Sequence, residues 1–234
     1  SEAAGREIKV VFSGEGGDEV FGGYRRYRQP RIVYGVNNLF SSGSGGFRTR
    51  SEWWRRSSRQ AFGPVLRRLY PSFREPYKRA WETAPPSWSH LQRCQYTDIV
   101  TDLTDSLLVK VDRMMMGFSL EGRVPFLDHR IVEFGLGLPD ELKVRGGQPK
   151  VFLRRWAERY IPRDHIYTKK RGFVVPMREW LSGRVLDDLE QKLTNNAVIQ
   201  HWFDTARLPA LFAVQRRHGK AAREVFCLMQ FAIW

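Results

Sequence analysis

The apolar residues of this chain follow helical spacing almost everywhere, with one exception near its beginning. Ile8 to Phe12 is short, apolar and rich in β-branched residues, which predicts a strand buried on both faces. From Asp18 to about Tyr27 the spacing becomes helical, and the Gly-, Ser- and Asn-rich residues 37–46 predict a surface loop.

Helices account for most of the remaining chain. Trp88 to about Met116 predicts one long helix, continuous or broken, whose apolar face carries Leu91, Leu103 and Val111. A helix with Ile131 should end before Pro139, because proline disfavours helical geometry in the residue before it. Further helices are predicted at 150–160, 177–181 after Pro176, 204–218 with Asp204 as its cap, and a closing helix with Val225 and Leu228.

This inventory predicts a mostly α-helical α/β fragment with few strands of its own. A buried strand needs partners on both sides, so we expect its neighbours to come from preceding residues or from another chain. Short strands hidden in segments that look helical are the alternative.

Composition and charge narrow the class of protein. The chain has 234 residues, enough for one sizeable domain or two small ones. It contains no apolar run of membrane-spanning length and no secretory leader pattern, so we expect a cytoplasmic protein. Cys94 and Cys227 match no metal or redox spacing, and the five histidines are scattered, so no histidine metal site is predicted.

The net charge of +14 indicates anionic partners. Much of the excess lies between Arg48 and Arg79, where arginines alternate with aromatic residues. That pattern is compatible with a base-stacking surface, but we favour an arginine-rich solvated face with aromatic core anchors, because no nucleic-acid module is recognisable.

Chemistry concentrates where the predicted strand ends. Residues 13–19 read Ser-Gly-Glu-Gly-Gly-Asp-Glu, a glycine-rich turn with carboxylates that opens into a helix. Glycines allow close approach to a ligand, a helix start favours anions, and carboxylates beside phosphate hold metal ions. The segment is neither a Walker loop nor a Rossmann fingerprint.

Three motifs in order give a resemblance over nearly the whole chain. They are Ser13 to Tyr24, then Asp112-Arg113-Met114 with Glu121 and Arg123 to Asp128, then Lys170-Arg171-Gly172-Phe173 to Pro176. Together they resemble the C-terminal synthetase part of glutamine-hydrolysing asparagine synthetases. The resemblance implies the C-terminal portion of an adenine-nucleotide α-hydrolase-like (ATP-pyrophosphatase) domain over residues 1–234.

The resemblance also implies a reaction. ATP adenylates the side-chain carboxylate of aspartate with loss of pyrophosphate, and glutamine-derived ammonia displaces AMP to give asparagine. Glu15 matches the carboxylate that takes a proton from ammonia, Asp18 a magnesium ligand, and Lys170 a lysine that holds phosphate oxygens. The residues expected to contact ATP are Ser13, Gly14, Gly16 and Gly17. Thr168 departs from the arginine found in many relatives.

Structural roles are the alternatives to these functional roles. Glu15 and Asp18 could cap the following helix, and for Glu19 capping or an ion pair is the favoured role. The charged set Asp112, Arg113, Glu121, Arg123 and Asp128 could line the pocket or form a buried ion-pair network, and Met114 to Met116 are expected to fill the core.

Two parts of the family pattern have no counterpart in this sequence: the Ser-Gly-Gly-x-Asp-Ser pyrophosphate loop and the N-terminal nucleophilic cysteine of the glutaminase half. We therefore expect the chain to work with a glutaminase and pyrophosphate-loop part, in the same or a separate chain, and to be incomplete alone. A homodimer is left open. The alternatives are a related amidotransferase or cyclase acting on another carboxylate, and a non-catalytic basic module for nucleic acid or an acidic partner.

Overall fold

The computed structural model describes residues 5–40, 45, 60–69, 75–168 and 175–233. Within them the chain is mostly helical with few strands, as predicted. The chain divides into two compact units. One comprises Ser1–Arg48 and Arg74–Lys169, and the other comprises Thr49–Phe73 and Lys170–Trp234.

The strands are short and the helices are numerous. The strands are β1 (Val10–Phe12), β2 (Glu121–Arg123), β3 (Val144–Arg145) and β4 (Gln148–Pro149). The α-helices are α1 (Gly17–Phe21), α2 (Arg31–Phe40), α3 (Pro64–Leu69), α4 (Glu75–Thr83), α5 (His90–Asp98), α6 (Val109–Met116), α7 (His129–Gly137), α8 (Asp140–Lys143), α9 (Val151–Ala157), α10 (Arg163–Tyr167), α11 (Met177–Trp180), α12 (Gly183–Thr194), α13 (Ala197–Trp202), α14 (Leu208–His218) and α15 (Ala222–Ile233).

The predicted strand forms, but its surroundings differ from the expectation. β1 pairs in parallel with β2, with Val10 opposite Glu121 and Phe12 opposite Arg123. Phe12 is 72% exposed and Val10 is 39% exposed, so the prediction of burial on both faces is wrong for the described part of the chain. The strand partner that sequence reasoning sought elsewhere lies about 110 residues downstream on the same chain.

The predicted long helix is present in three segments. α5 leads into a π-helical stretch, Ile99–Leu108, which continues into α6. Ser89 and Gln92 form a capping box that starts α5, because each satisfies a backbone N–H of the other. Thr101 donates its hydroxyl hydrogen to the Thr97 carbonyl oxygen at 2.5 Å, so side chains also occupy backbone acceptors beside the widened stretch.

Two predicted boundaries differ. α1 ends at Phe21 rather than near Tyr27, because Gly22 adopts a left-handed conformation (φ 74°) and closes the helix. A separate 3₁₀ turn follows at Arg25–Arg28. α2 reaches Phe40 and therefore covers the first part of the segment predicted as a loop.

The first unit packs around α1. Val20 and Phe21 are buried with Leu138, and the Phe21 ring lies edge-on to Phe126 at 5.9 Å. Gly135 on α7 lets that helix approach α1, since a Cβ there would overlap the Val20 side chain and come within 3.0 Å of its carbonyl oxygen.

The second unit is a helical cluster of α3 and α11–α15. Its core includes the fully buried residues Leu186, Ile199, Leu208, Phe212, Val225 and Leu228. Phe62 forms a bridge with Phe203, and the Gly63 N–H donates to the Trp202 carbonyl oxygen at 2.9 Å. The predicted closing helix is confirmed as α15, and its residues Val225 and Leu228 are fully buried. Asp204 precedes a 3₁₀ turn, Thr205–Arg207, and α14 begins after it.

Cys94 and Cys227 are not joined in a disulfide; Cys94 is buried and Cys227 is half-buried. None of the helices in the described residues combines the length and apolarity needed to cross a membrane.

Gly135→Ala should lower the free energy of unfolding by about 1–3 kcal/mol, because the added methyl overpacks the α1–α7 contact. Gly137→Ala in the same helix is the matched control, since a Cβ there meets nothing within 4 Å. Urea unfolding of both variants makes the measurement. Equal stability of the two would contradict the proposed close approach.

Lys143, at the end of α8, is fully buried. Its ammonium donates to the Leu136 carbonyl oxygen at 2.8 Å, and the same oxygen also accepts from the Gln92 amide at 2.7 Å. Burial lowers the pKa of Lys143 to about 8, although Asp140 opposes the shift. The charged form of Lys143 therefore destabilises the folded chain at neutral pH.

Lys143→Met should raise the free energy of unfolding at pH 7 by about 1–3 kcal/mol, because it removes a buried charge while Gln92 still satisfies the Leu136 carbonyl. In the wild type the unfolded chain binds more protons than the folded chain between pH 8 and 10.5. Wild-type stability should therefore gain from Lys143 as pH rises through that window. Denaturant titrations at several pH values should show this gain lost in Lys143→Met.

Candidate functional site

The glycine-rich turn follows β1 directly and is fixed by its partner strand. The Ser13 N–H donates to the Arg123 carbonyl oxygen at 2.8 Å, which extends the parallel pairing by one residue. Gly16 has φ 86° and occupies the N-cap of α1, a conformation that glycine adopts with little strain. The turn and the segment after β2 thus meet at the carboxyl ends of two parallel strands, where ligands bind in open α/β sheets.

The glycines of the turn have different surroundings. A Cβ at Gly16 would overlap the Leu127 side chain, and a Cβ at Gly17 would lie 3.2 Å from the Phe126 ring. Both glycines are buried, whereas a Cβ at Gly14 would meet nothing within 4 Å. Gly16 and Gly17 therefore serve packing in this structure, and Gly14 is the position open to a ligand.

Three carboxylates lie within five residues and have different environments. Glu15 is half-buried, and its carboxylate has no hydrogen-bond or ion-pair partner in the part of the chain that the structure describes. Glu19 is buried and accepts a hydrogen bond from the Tyr24 hydroxyl at 2.5 Å. Burial raises the pKa of Glu19, and the bond from Tyr24 opposes the rise. Gly16 is the N-cap of α1 and no side chain caps this helix, so the capping role considered for Glu15 and Asp18 is not observed. Glu19 lies in the first turn of α1, where a carboxylate favours the helix start, and its side-chain partner is the Tyr24 hydroxyl.

Asp18 has a cationic partner that sequence reasoning missed. The Lys150 ammonium lies 3.0 Å from the Asp18 carboxylate, and both side chains are about three-quarters buried. Lys150 has φ 53° and precedes α9, so a left-handed backbone aims its side chain at α1. Gly23 makes room, because a Cβ there would overlap both side chains of the pair. Nothing in the local sequence pattern identifies this lysine; only the tertiary fold brings it to Asp18.

A buried polar network supports the turn from the α5 side. The Gln95 amide donates to the carbonyl oxygens of Glu19 and Val20 at 2.6 and 2.8 Å. Because α1 has only five residues, these bonds satisfy acceptors that a longer helix would satisfy itself.

The network continues from α5 through Asp98, which is fully buried. Arg26 donates to Asp98 at 2.9 Å and pairs with it at 2.5 Å, and the Tyr27 hydroxyl donates to the same carboxylate. Burial raises the pKa of Asp98 to about 7, against the influence of Arg26 and Tyr27. These contacts tie the chain after α1 to α5.

One of the two interpretations of the charged set was a buried ion-pair network, and the structure shows a different arrangement. Glu121 and Arg123 form an exposed pair at 2.8 Å, and Asp112 and Arg113 are exposed. Asp128 caps α7 and accepts bonds from Arg130, whose side-chain hydrogen bonds lower the pKa of Asp128 to about 2. The buried-network interpretation is wrong for these residues. The core role expected of Met114 and Met116 is also wrong, since each is more than half exposed.

Two predicted features fall outside the described residues. Lys170 and its Lys-x-Gly-Phe motif lie in 169–174, and most of the basic stretch Arg48 to Arg79 lies in 46–59 and 70–74. Of the aromatic residues expected to anchor the basic region, Trp81 is buried and Tyr77 donates to Asp102 at 2.6 Å.

The side chains near the turn offer few ligands for a magnesium ion. Among the described residues no group of three or more His, Cys, Asp and Glu side chains is arranged to hold a metal. Magnesium, however, is commonly bound through one or two carboxylates together with substrate phosphates. Asp18 is a partly accessible carboxylate beside the open turn at Gly14. It fits that arrangement if the Lys150 ammonium moves away from it.

Comparison with known proteins finds one matching family and several full-length relatives. A family model described as asparagine synthase matches residues 1–234. Asparagine synthetase (glutamine-hydrolyzing) 1 of Bacillus subtilis is 30% identical, and the alignment covers 100% of this chain and 41% of the relative. Asparagine synthetase (glutamine-hydrolyzing) 3 of the same organism is 32% identical over 72% of this chain and 27% of the relative. The chain spans about two fifths of the length of the first of these relatives.

Gly16→Ala should lower the free energy of unfolding by about 2–4 kcal/mol, since it places a Cβ at positive φ and against Leu127. Gly14→Ala is the control in the same turn and should change stability by less than about 1 kcal/mol, because the space around Gly14 is open. Thermal and urea unfolding of both variants test this. Similar losses in the two variants would show that the contact of Phe126 and Leu127 with the turn does not determine its shape.

Proposed function

The chain belongs to the asparagine synthase family, and we propose that it supplies the amide-forming part of an ATP-dependent ligase that converts aspartate to asparagine. The observation that carries this proposal is the junction of the two motifs at the carboxyl ends of β1 and β2. There an open glycine and two carboxylates, Glu15 and Asp18, lie in one short turn.

In the proposed reaction, a side-chain carboxylate oxygen of aspartate attacks the α-phosphorus of ATP and pyrophosphate leaves. Ammonia then attacks the acyl carbon, AMP leaves with its electron pair, and the nitrogen loses a proton. Glu15 has no competing partner among the described residues and is proposed as the base that accepts this proton.

The nucleotide is proposed to contact the turn at Ser13 and Gly14, with Gly16 and Gly17 shaping the backbone beneath it. Asp18 is proposed to hold Mg²⁺, which would neutralise charge on the departing pyrophosphate. Lys170 is proposed to hold phosphate oxygens, as its match to the family motif implies.

The exposed strand supports a further part of the proposal. Phe12 and Val10 present apolar side chains to solvent, and relatives of the family are more than twice as long as this chain. We propose that residues 1–234 belong to an adenine-nucleotide α-hydrolase-like domain. Its glutaminase and pyrophosphate-loop parts, in the same or a separate polypeptide, would complete the sheet and supply ammonia.

The proposed setting is cytoplasmic, with aspartate and ATP as small-molecule substrates. Relatives that act on other carboxylates are distinguished from this proposal by substrate dependence. A basic binding module would show salt-sensitive nucleic-acid affinity and no pyrophosphate exchange.

The test uses the longest natural polypeptide that carries this chain and measures aspartate-dependent ATP–pyrophosphate exchange alongside asparagine formation. Glu15→Gln should reduce asparagine formation about 100-fold or more, while exchange falls much less, because the proton is lost after adenylation. Glu141→Gln, at an exposed carboxylate on α8, is the matched control.

Unchanged asparagine formation in Glu15→Gln would overturn the role of Glu15. Absence of aspartate-dependent exchange in the wild type would overturn the proposed reaction.

A further inference from the structure

We propose that Lys150 is an exchangeable counter-ion of Asp18: it holds the Asp18 carboxylate in the ligand-free protein and transfers to nucleotide phosphate oxygens when a divalent cation takes that carboxylate. This inference rests on the proposed function, because it concerns the same nucleotide site. The residue was not among those suggested by the sequence motifs.

The geometry that carries the inference is specific to this pair. Lys150 Nζ and Asp18 Oδ1 are 3.0 Å apart, and about a quarter of each side chain remains exposed. The pair is thus formed in the folded chain and is also within reach of a ligand in solution. It differs from the Arg26–Asp98 pair, whose carboxylate is fully buried and bound by Tyr27 as well.

The backbone at Lys150 and at Gly23 accommodates the Lys150–Asp18 pair. Lys150 adopts a left-handed conformation that is uncommon for residues other than glycine. Gly23 has no side chain where one would overlap Asp18 and Lys150. Such local conformations persist when the surroundings determine them, and they concentrate at functional positions.

Charge explains why the pair should exchange partners. A divalent cation that approaches Asp18 meets a lysine ammonium already paired with the carboxylate, so the two cations repel each other. Nucleotide phosphates supply new acceptors for the ammonium, whose flexible stem suits it to a moving partner. Cation and nucleotide should therefore bind Asp18 and Lys150 cooperatively, although each alone is disfavoured by the pair.

The experiment measures two ligands separately on the full natural polypeptide. Mn²⁺ binding without nucleotide is followed by electron paramagnetic resonance, and ATP binding in EDTA is followed by calorimetry. Lys150→Met should bind Mn²⁺ at least about fivefold more tightly and metal-free ATP at least about fivefold more weakly. Asp18→Asn should have the opposite effects, weaker Mn²⁺ binding and tighter binding of metal-free ATP.

The opposite effects on Mn²⁺ and ATP binding distinguish counter-ion exchange from a purely structural role of the pair. Loss of a purely structural contact would weaken the binding of both ligands in both variants. Lys150→Arg keeps the charge and should restore ATP binding while Mn²⁺ binding stays weak. Lys192→Met removes an exposed lysine on α12 and should change neither. Far-UV circular dichroism of each variant verifies that it is folded.

Changes in the same direction for both ligands in Lys150→Met, or no change in either, would overturn the counter-ion role. If that result is obtained and the wild type still shows aspartate-dependent ATP–pyrophosphate exchange, the proposed function stands and only the counter-ion inference fails. If wild-type protein binds no ATP even with Mg²⁺, both fail together.

Discussion

The parallel pairing of β1 with β2 is the constraint on which the candidate site depends. Each strand has only three residues, too few to persist without packing support. That support comes from Phe126 and Leu127, which follow β2 and lie over Gly17 and Gly16. The contact that stabilises the strand pair is therefore also the contact that shapes the turn. A change in the packing of Leu127 should therefore alter the shape of the turn, although Leu127 itself is not proposed to contact a ligand.

A second layer compensates for the shortness of α1. Five residues cannot satisfy their own backbone acceptors, and Gln95 supplies two donors to the end of the helix. Arg26, Tyr27 and Asp98 then fix the following segment to α5 through a buried charge that is paired and hydrogen-bonded. Removal of one member of such a group would leave the others buried and uncompensated, so the network favours a single arrangement behind the turn.

Sequence reasoning identified elements with a local cause and missed those with a tertiary one. The strand, the turn, the long helix after Ser89 and the closing helix follow from periodicity and capping. The sequence of β2, Glu-Gly-Arg, has no strand pattern, and the segment is a strand because it pairs with β1. Lys143 and Lys150 were missed because lysine ordinarily predicts a solvated surface position. The opposite error placed Met114 and Met116 in the core.

The three carboxylates of the turn show how environment separates residues that look alike in sequence. Glu19 is buried with a hydroxyl donor, and burial raises its pKa, which favours a neutral or strongly hydrogen-bonded structural group. Asp18 is paired with the Lys150 ammonium at 3.0 Å. Glu15 is half-buried and lacks a partner among the described residues, which is the reason it is proposed as the proton acceptor. Carboxylates in one short turn can take different roles when their burial and counter-ions differ by this much, so the environment of each acid matters more than the number of acids.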